Sequence, residues 1–220
     1  MAGDSTLGPQ RGHCRQFRAD RRCPNLGRCF RERCREPLDQ SAGAGADPVC
    51  GLFPDQPDEL VAYFIDSSRP THASPQRQSA YAYLGLVLCG LIHRVDRQEV
   101  LAADWGPLAS LRRAFPLHAE VEEVASGSFR QKQPPEIVGS GYVVKSLEAA
   151  LWAFHDANDF REAVLRAVNL GDDADTTGAV CGQLAGAYWG EAGIPGEWLE
   201  GLARRDMIEP ALRGLFRSAE

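Results

Sequence analysis

Nowhere in these 220 residues is there an apolar run near the roughly 18 residues needed to cross a bilayer. The longest candidate, residues 80–92, is broken by tyrosines and glycines and reads as a buried helix, so no membrane partner is expected. Residues 1–45 lack the apolar stretch of a secretory signal, which favours a cytoplasmic protein with reduced thiols. Two-residue alternation of apolar and polar positions is missing too, which argues against an all-β architecture. Paired C-x2-C spacing is also absent. Cys14, Cys23, Cys29 and Cys34 are separated by eight, five and four residues, which speaks against a zinc module even with His13 beside them. Finally, the body of the chain has no basic excess. Nine arginines between Arg11 and Arg35 stand against five acids in the first forty residues, so that segment carries about +4 and the remainder about −10 within a formal charge of −6. Duplex binding rests on neutralising phosphates, so no nucleic-acid partner is expected.

Residues 1–47 differ from everything after them. They contain arginine but no lysine, little apolar content, and no helical or strand period. Such a segment cannot bury enough surface to order itself and reads as disordered. Arg-, Cys-, Gly- and Pro-rich text without lysine is also what GC-rich coding DNA yields out of frame, so a frameshift or misplaced start is a second reading. The run Ser41 to Pro48 marks a flexible boundary, and residues 48–220 form the folded domain.

From Pro48 onward the chain reads as helices. Leu60, Val61, Phe64 and Ile65 lie at helical spacing within 55–67, after Asp58 and Glu59 in the first turn. Ser74 followed by Pro75 is an N-cap with proline at the first helical position, opening a helix to about His93. Asp96 caps a short helix with Val100 and Leu101. Leu108, Leu111 and Phe115 mark another, stopped by Pro116. Residues 143–157, 159–169 (capped by Asp159), 176–189, 197–204 and 207–217 complete an all-α domain. Gly178, Gly182, Ala185, Gly186 and Gly190 leave one nearly bare helix face. Each interior glycine costs close to 1 kcal/mol, which is sensible where a neighbouring backbone approaches closely.

The densest chemistry lies just before that helix. Asp172, Asp173, Asp175, Thr176 and Thr177 place three carboxylates and two hydroxyls within six residues. Oxygen donors at that density suit a hard cation such as Mg²⁺ or Mn²⁺ better than zinc. The alternative is a set of competing N-caps on a solvated loop.

The run from Gly139-Ser140-Gly141-Tyr142 through Trp152, Phe154, Glu162 and Asp172 to Thr177, and on to Trp189, resembles the ADP-ribosylglycohydrolase family. The likeness extends upstream through Asp66 to His72 and back to about Pro48. It implies an all-α orthogonal multi-helix bundle with a two-metal Mg²⁺ or Mn²⁺ site. By the family's pattern, Asp173, Asp175 and Thr176 are metal ligands, while Asp172 stands where relatives often have glycine. Ser140, Gly141 and Tyr142 line the nucleotide pocket, Tyr142 offering a ring to the adenine, and His72 lies beside it. A Gly-Ser-Gly turn followed by a core tyrosine is the plain alternative for 139–142, as a packed or capping side chain is for His72. The implied partner is an ADP-ribosylated protein or small ADP-ribosyl compound.

The departures are equally specific. The family's Gly-Asp-x-x-Gly segment with its preceding glutamate, its Thr-Asp-Asp-Thr motif and its Gly-Asn-Gly-Ser turn have no counterpart here. Asp4 and Gly43-Ala44-Gly45 are superficial likenesses. The bundle therefore reads as truncated at its N-terminal third, with one side of the metal cluster present and no catalytic base assigned. The implied function is metal-dependent hydrolysis of an ADP-ribosyl glycosidic bond, impaired in this chain. A non-catalytic remnant that binds ADP-ribose or a partner protein is the alternative.

Overall fold

A computed structural model describes residues 61–62, 64–66 and 74–217. His72, residues 1–47 and the first part of the helix expected over 55–67 lie outside the described residues. All regular structure among the described residues is helical, as the sequence predicts.

Helix α1 (Pro75–Ile92) begins where Ser74 Oγ accepts a hydrogen bond from the Arg77 amide at 3.3 Å, with Pro75 at a position that needs no N–H. From Ser79 to Ile92 it is buried on nearly every side. Tyr83, Leu86, Val87 and Ile92 are each at most 1% exposed. A helix apolar all round belongs in a core, where each large side chain contributes about 1.5–3 kcal/mol by burial. Helix α2 (Arg97–Val100) is capped by Asp96, whose carboxylate accepts from the Gln98 amide at 2.8 Å. Helix α3 (Gly106–Ala114) ends in extended backbone at Phe115, because the following Pro116 disfavours a helical residue before it.

Helix α4 (Ala119–Ala125) is not legible as a helix in the sequence. It is seven residues long, too short to show a period, and its cap is His118 rather than a favoured cap residue. A 3-10 turn at Ser128–Arg130 follows. Helix α5 (Val143–Phe154) leads to α6 (Phe160–Val168), capped by Asp159, which accepts from the Glu162 amide at 2.7 Å. Helix α7 (Ala174–Trp189) starts two residues earlier than its apolar pattern suggests. After a 3-10 turn at Glu191–Gly193 come α8 (Gly196–Glu200) and α9 (Arg205–Arg217). The sequence pattern carries α8 on to residue 204, but the helix stops at Glu200. Gly201 follows directly, and Arg204 adopts left-handed backbone with φ 59°.

Helix α7 packs against α6, α5 and α1, while α5 also meets α6, α1 and α4. The small-residue face of α7 is used unevenly. At Gly178 an added Cβ would lie 2.7 Å from Val168 Cγ1, so α6 approaches as closely as the glycine permits. At Gly182 and Gly186 an added Cβ would meet no described atom outside the helix's own backbone within 4 Å. Gly190 ends the helix with φ 72°, a conformational role instead of a packing one.

Arg97 ties two parts of this core together. Its guanidinium donates to the carbonyls of Phe154 (3.0 Å), the last residue of α5, and Ala157 (2.8 Å), just beyond it. It also lies 5.1–5.5 Å from the ring centroids of Phe154, Tyr188 and Trp189. A single nitrogen, Nη1, makes both hydrogen bonds, so what lysine lacks is the planar guanidinium that lies against the three rings while it makes them. Arg97→Lys is expected to lower unfolding stability by about 2 kcal/mol, the worth of one charged hydrogen bond lost. Chemical denaturation with an unchanged m-value checks this.

Candidate functional site

Two short segments build the site. The first is the Gly139–Tyr142 turn that enters α5; the second is the Gly171–Thr177 loop that enters α7. Gly139 is buried against the second segment: a Cβ there would meet Gly171 O at 2.6 Å and Thr177 Oγ1 at 3.4 Å. Two residues on, a Cβ at Gly141 would lie 3.4 Å from Asp173 Oδ2. Gly139 thus lets the turn run directly against the acidic loop, and Gly141 lies beside the Asp173 carboxylate. Gly139→Ala places a methyl against backbone that cannot turn aside. Its expected cost is about 1–3 kcal/mol in stability, together with weaker binding of any ligand seated on this junction. Thermal melts and a binding titration read the two effects separately.

The acidic loop is held by its backbone. Gly171 (φ 75°) and Asp172 (φ 51°) are both left-handed, turning the chain sharply before α7. Asp172 is the non-glycine in that pair, and its side chain is exposed. Asp173 stands at the N-cap of α7, yet its carboxylate makes no capping bond to the helix amides. Instead Asp173 Oδ1 accepts from Thr176 Oγ1 at 3.0 Å, and the Asp173 carbonyl accepts from the buried Thr177 Oγ1 at 3.0 Å. The competing-cap alternative for these aspartates therefore does not describe Asp173. Asp175 lies in the first turn of α7, exposed beside Thr176, where the helix dipole favours a negative charge. The structure so places Asp173, Asp175 and Thr176 on one helix start, with Thr177 turned inward as an anchor. Among the described residues no three Asp, Glu, His or Cys side chains converge as a metal-holding group.

In the other segment, Ser140 Oγ accepts from the Tyr142 amide at 3.2 Å, and Ser146 Oγ donates to the Ser140 carbonyl and, at 3.3 Å, to that of Tyr142. These bonds lock the turn onto the first turn of α5. Tyr142 is not a core tyrosine: the residue is 40% exposed, and its hydroxyl donates to Glu120 Oε2 at 2.8 Å. Partial desolvation first, and the Glu120 hydrogen bond next, raise the phenol above its ordinary pKa, so it is neutral at pH 7. The sequence brings Ser140, Gly141 and Tyr142 forward as a unit and identifies the acidic loop separately. Their junction through Gly139 and Gly171, and the role of Glu120, are not visible in it.

The comparisons with known proteins bear on the same segments. The family model described as ADP-ribosylglycohydrolase matches residues 11–220. An ADP-ribosylarginine hydrolase of Serratia proteamaculans is 36% identical over 163 residues, 73% of this chain and 42% of that protein. An ADP-ribosyl-[dinitrogen reductase] glycohydrolase of Rhodospirillum rubrum is 39% identical over 150 residues, 66% of this chain and 44% of that protein. A solved chain titled as an ADP-ribosylglycohydrolase-related protein complex superimposes with a TM-score of 0.65 at 36% identity, covering 94% of this chain and 73% of that one. The chain spans less than half the length of these two curated relatives. A family model matching nearly its whole length, and a solved relative at that identity, establish that this chain belongs to the ADP-ribosylglycohydrolase family.

Proposed function

We propose that this chain binds an ADP-ribosyl group where the Gly139–Tyr142 turn meets the Asp172–Thr177 loop. The chemistry served there is hydrolysis of the glycosidic bond at the ribose anomeric carbon. The observation that supports this most is the junction of the two segments, where a Cβ at Gly139 would meet Gly171 O at 2.6 Å and one at Gly141 would lie 3.4 Å from Asp173 Oδ2, which sets an exposed aromatic residue and a row of oxygen donors on adjoining backbone. The names of the relatives point to a protein-linked ADP-ribosyl group as substrate, on arginine in one case and on dinitrogen reductase in the other.

In this reading the exposed face of Tyr142 stacks on the adenine, and the Ser140–Gly141 backbone runs alongside the nucleotide. By the family resemblance His72, outside the described residues, is a further candidate for contact with the ligand. The donors of the loop are all hard oxygens, and the Asp173 carboxylate is not spent on capping, so Asp173, Asp175 and Thr176 fit Mg²⁺ or Mn²⁺. A cation held there supplies Lewis acidity and a grip on the ribose hydroxyls. Overall, water's oxygen bonds to the anomeric carbon, and the acceptor nitrogen or oxygen leaves with the bonding pair and takes up a proton. The family resemblance puts the remaining ligands and the base on motifs that these 220 residues do not carry. Three protein oxygens hold Mg²⁺ weakly. Turnover by this chain is therefore expected to be slight, with binding retained.

The test is release of ADP-ribose from an ADP-ribosylated arginine peptide with Mg²⁺ or Mn²⁺, beside a titration of free ADP-ribose. Binding with little release is the expected result. Ready turnover abolished by Asp173→Asn would mean the catalytic set is complete, and no binding at all would sink the reading.

A further inference from the structure

Tyr142 is fixed at both ends, by bonds of different origin. Its backbone is tied into the start of α5 by Ser140 and Ser146. Its hydroxyl reaches across to another element and donates to Glu120 Oε2 at 2.8 Å, 22 residues earlier in the chain. Glu120 is itself on a firm platform. It lies in the first turn of α4, where its amide donates to His118 Nδ1 at 3.4 Å. The His118 amide in turn donates to Ser79 Oγ of α1 at 2.9 Å, and Ser79 is only 2% exposed. Val121, Val124 and Ala125 then bury the rest of α4 in the core. The tip of an exposed ring is thereby referred to the central helix α1 through three successive hydrogen bonds.

An exposed tyrosine without such a bond samples several rotamers, and each side chain immobilised on binding costs about 0.5–1.5 kcal/mol. A ring held in one orientation beforehand avoids most of that cost. We infer that Glu120 is a positioning residue for the ADP-ribosyl site, holding the Tyr142 ring in its stacking orientation from α4. This rests on the reading of Tyr142 as the adenine-facing ring. Glu120 does not touch the ligand; it acts through the phenol alone.

The experiment compares Glu120→Ala, Glu120→Gln, Tyr142→Phe and the Glu120→Ala/Tyr142→Phe double variant in calorimetric titrations with ADP-ribose. Glu120→Ala is expected to weaken ADP-ribose roughly three- to tenfold, the range one hydrogen bond covers. Mn²⁺ affinity should stay unchanged and the melting temperature should fall by no more than a few degrees, the cost of one exposed bond and one first-turn charge, where a general structural defect would move both. Glu120→Gln still offers an oxygen to the phenol and should restore affinity to within about twofold. Tyr142→Phe keeps the ring but loses the hydroxyl, so it should match Glu120→Ala, and the double variant should add nothing further. Equal affinity of Glu120→Ala and the parent overturns the inference, as does full additivity in the double variant. If the parent binds no ADP-ribose, the site reading fails first. The latch is then judged by NMR contacts between the Tyr142 ring and α4. Their loss in Glu120→Ala and return in Glu120→Gln sustain it as a fold device, and unchanged contacts overturn it.

Discussion

Asp175→Asn is expected to lower Mn²⁺ affinity by about tenfold or more while leaving the fold intact. Loss even of a group that merely supports a ligand commonly costs about 10- to 100-fold in metal affinity, so loss of the carboxylate donor proposed at Asp175 should reach at least that range. Asp175 is exposed at the first turn of α7, so nothing packs on it that asparagine would disturb. What the helix loses is one favourable charge at its positive end, about 0.3–1 kcal/mol. Asp172→Gly is the matched control. It removes a carboxylate one residue before the N-cap at a left-handed position (φ 51°), where glycine is at least as comfortable. Mn²⁺ binding should survive Asp172→Gly with stability equal or slightly higher. Titration of Mn²⁺ by electron paramagnetic resonance reads all three proteins. Equal losses in the two variants would mean that the loop attracts cations by bulk charge alone.

The second large effect lies away from the site. Glu148, in the middle of α5, is 2% exposed and accepts from Ser128 Oγ, from Lys132 Nζ at 2.7 Å and from Lys145 Nζ at 3.1 Å. Lys132 also reaches Glu123 at 2.9 Å, so the cluster ties the loop after the 3-10 turn to α4 and α5. Burial by itself drives the Glu148 carboxyl upward, but the bonds from Lys132, Ser128 and Lys145 together outweigh it and hold the group below its ordinary value. Removing one partner of a buried pair typically costs about 3–5 kcal/mol. Here the two lysines can swing to solvent, so about 2–3 kcal/mol is expected for Glu148→Ala, or roughly 5–10 °C in melting temperature for a domain this size.

The pH dependence follows from the direction of the shift. A carboxyl lowered by folding contributes its full stability above the unfolded value, near 4.3, and loses it as pH falls through the folded value. Lys132 moves the other way. The hydrogen bonds to Glu148 and Glu123 raise it, so its contribution is complete below the unfolded lysine value and fades as pH rises through the folded one. Glu148→Gln should therefore flatten the acid limb of the stability profile below about pH 4.3 and soften the alkaline limb. A parent and variant whose acid limbs run parallel would show that Glu148 is not the group responsible.

How much of this was legible in the sequence depends on the range of the interaction. Ser74, Asp96 and Asp159 are caps whose partners lie two or three residues away, and all three act as the sequence indicates. The apolar runs of α1 and α5 mark buried helices because burial leaves a direct compositional trace. The acidic loop and the Gly-Ser-Gly-Tyr turn stand out for the same local reason. What could not be read are contacts between distant segments. Gly139 against Gly171, Glu120 beneath Tyr142, and Arg97 among Phe154, Tyr188 and Trp189 all join residues at least 22 apart, and none leaves a spacing signal. Asp173 is a subtler case. Its position and type announce a cap, yet its carboxylate faces Thr176 and Gly141 instead, because the two left-handed residues before it redirect the chain.

The most direct measurement of the central claim is a calorimetric titration of ADP-ribose into this chain, with and without Mn²⁺. If the 139–142 turn and the 171–177 loop form one site, ADP-ribose binds in both conditions and more tightly with Mn²⁺. By reciprocity, ADP-ribose then tightens Mn²⁺ by the same factor, and Asp175→Asn removes the coupling while sparing the metal-free affinity. ADP-ribose binding that is absent, or wholly indifferent to both Mn²⁺ and Asp175→Asn, would contradict the account.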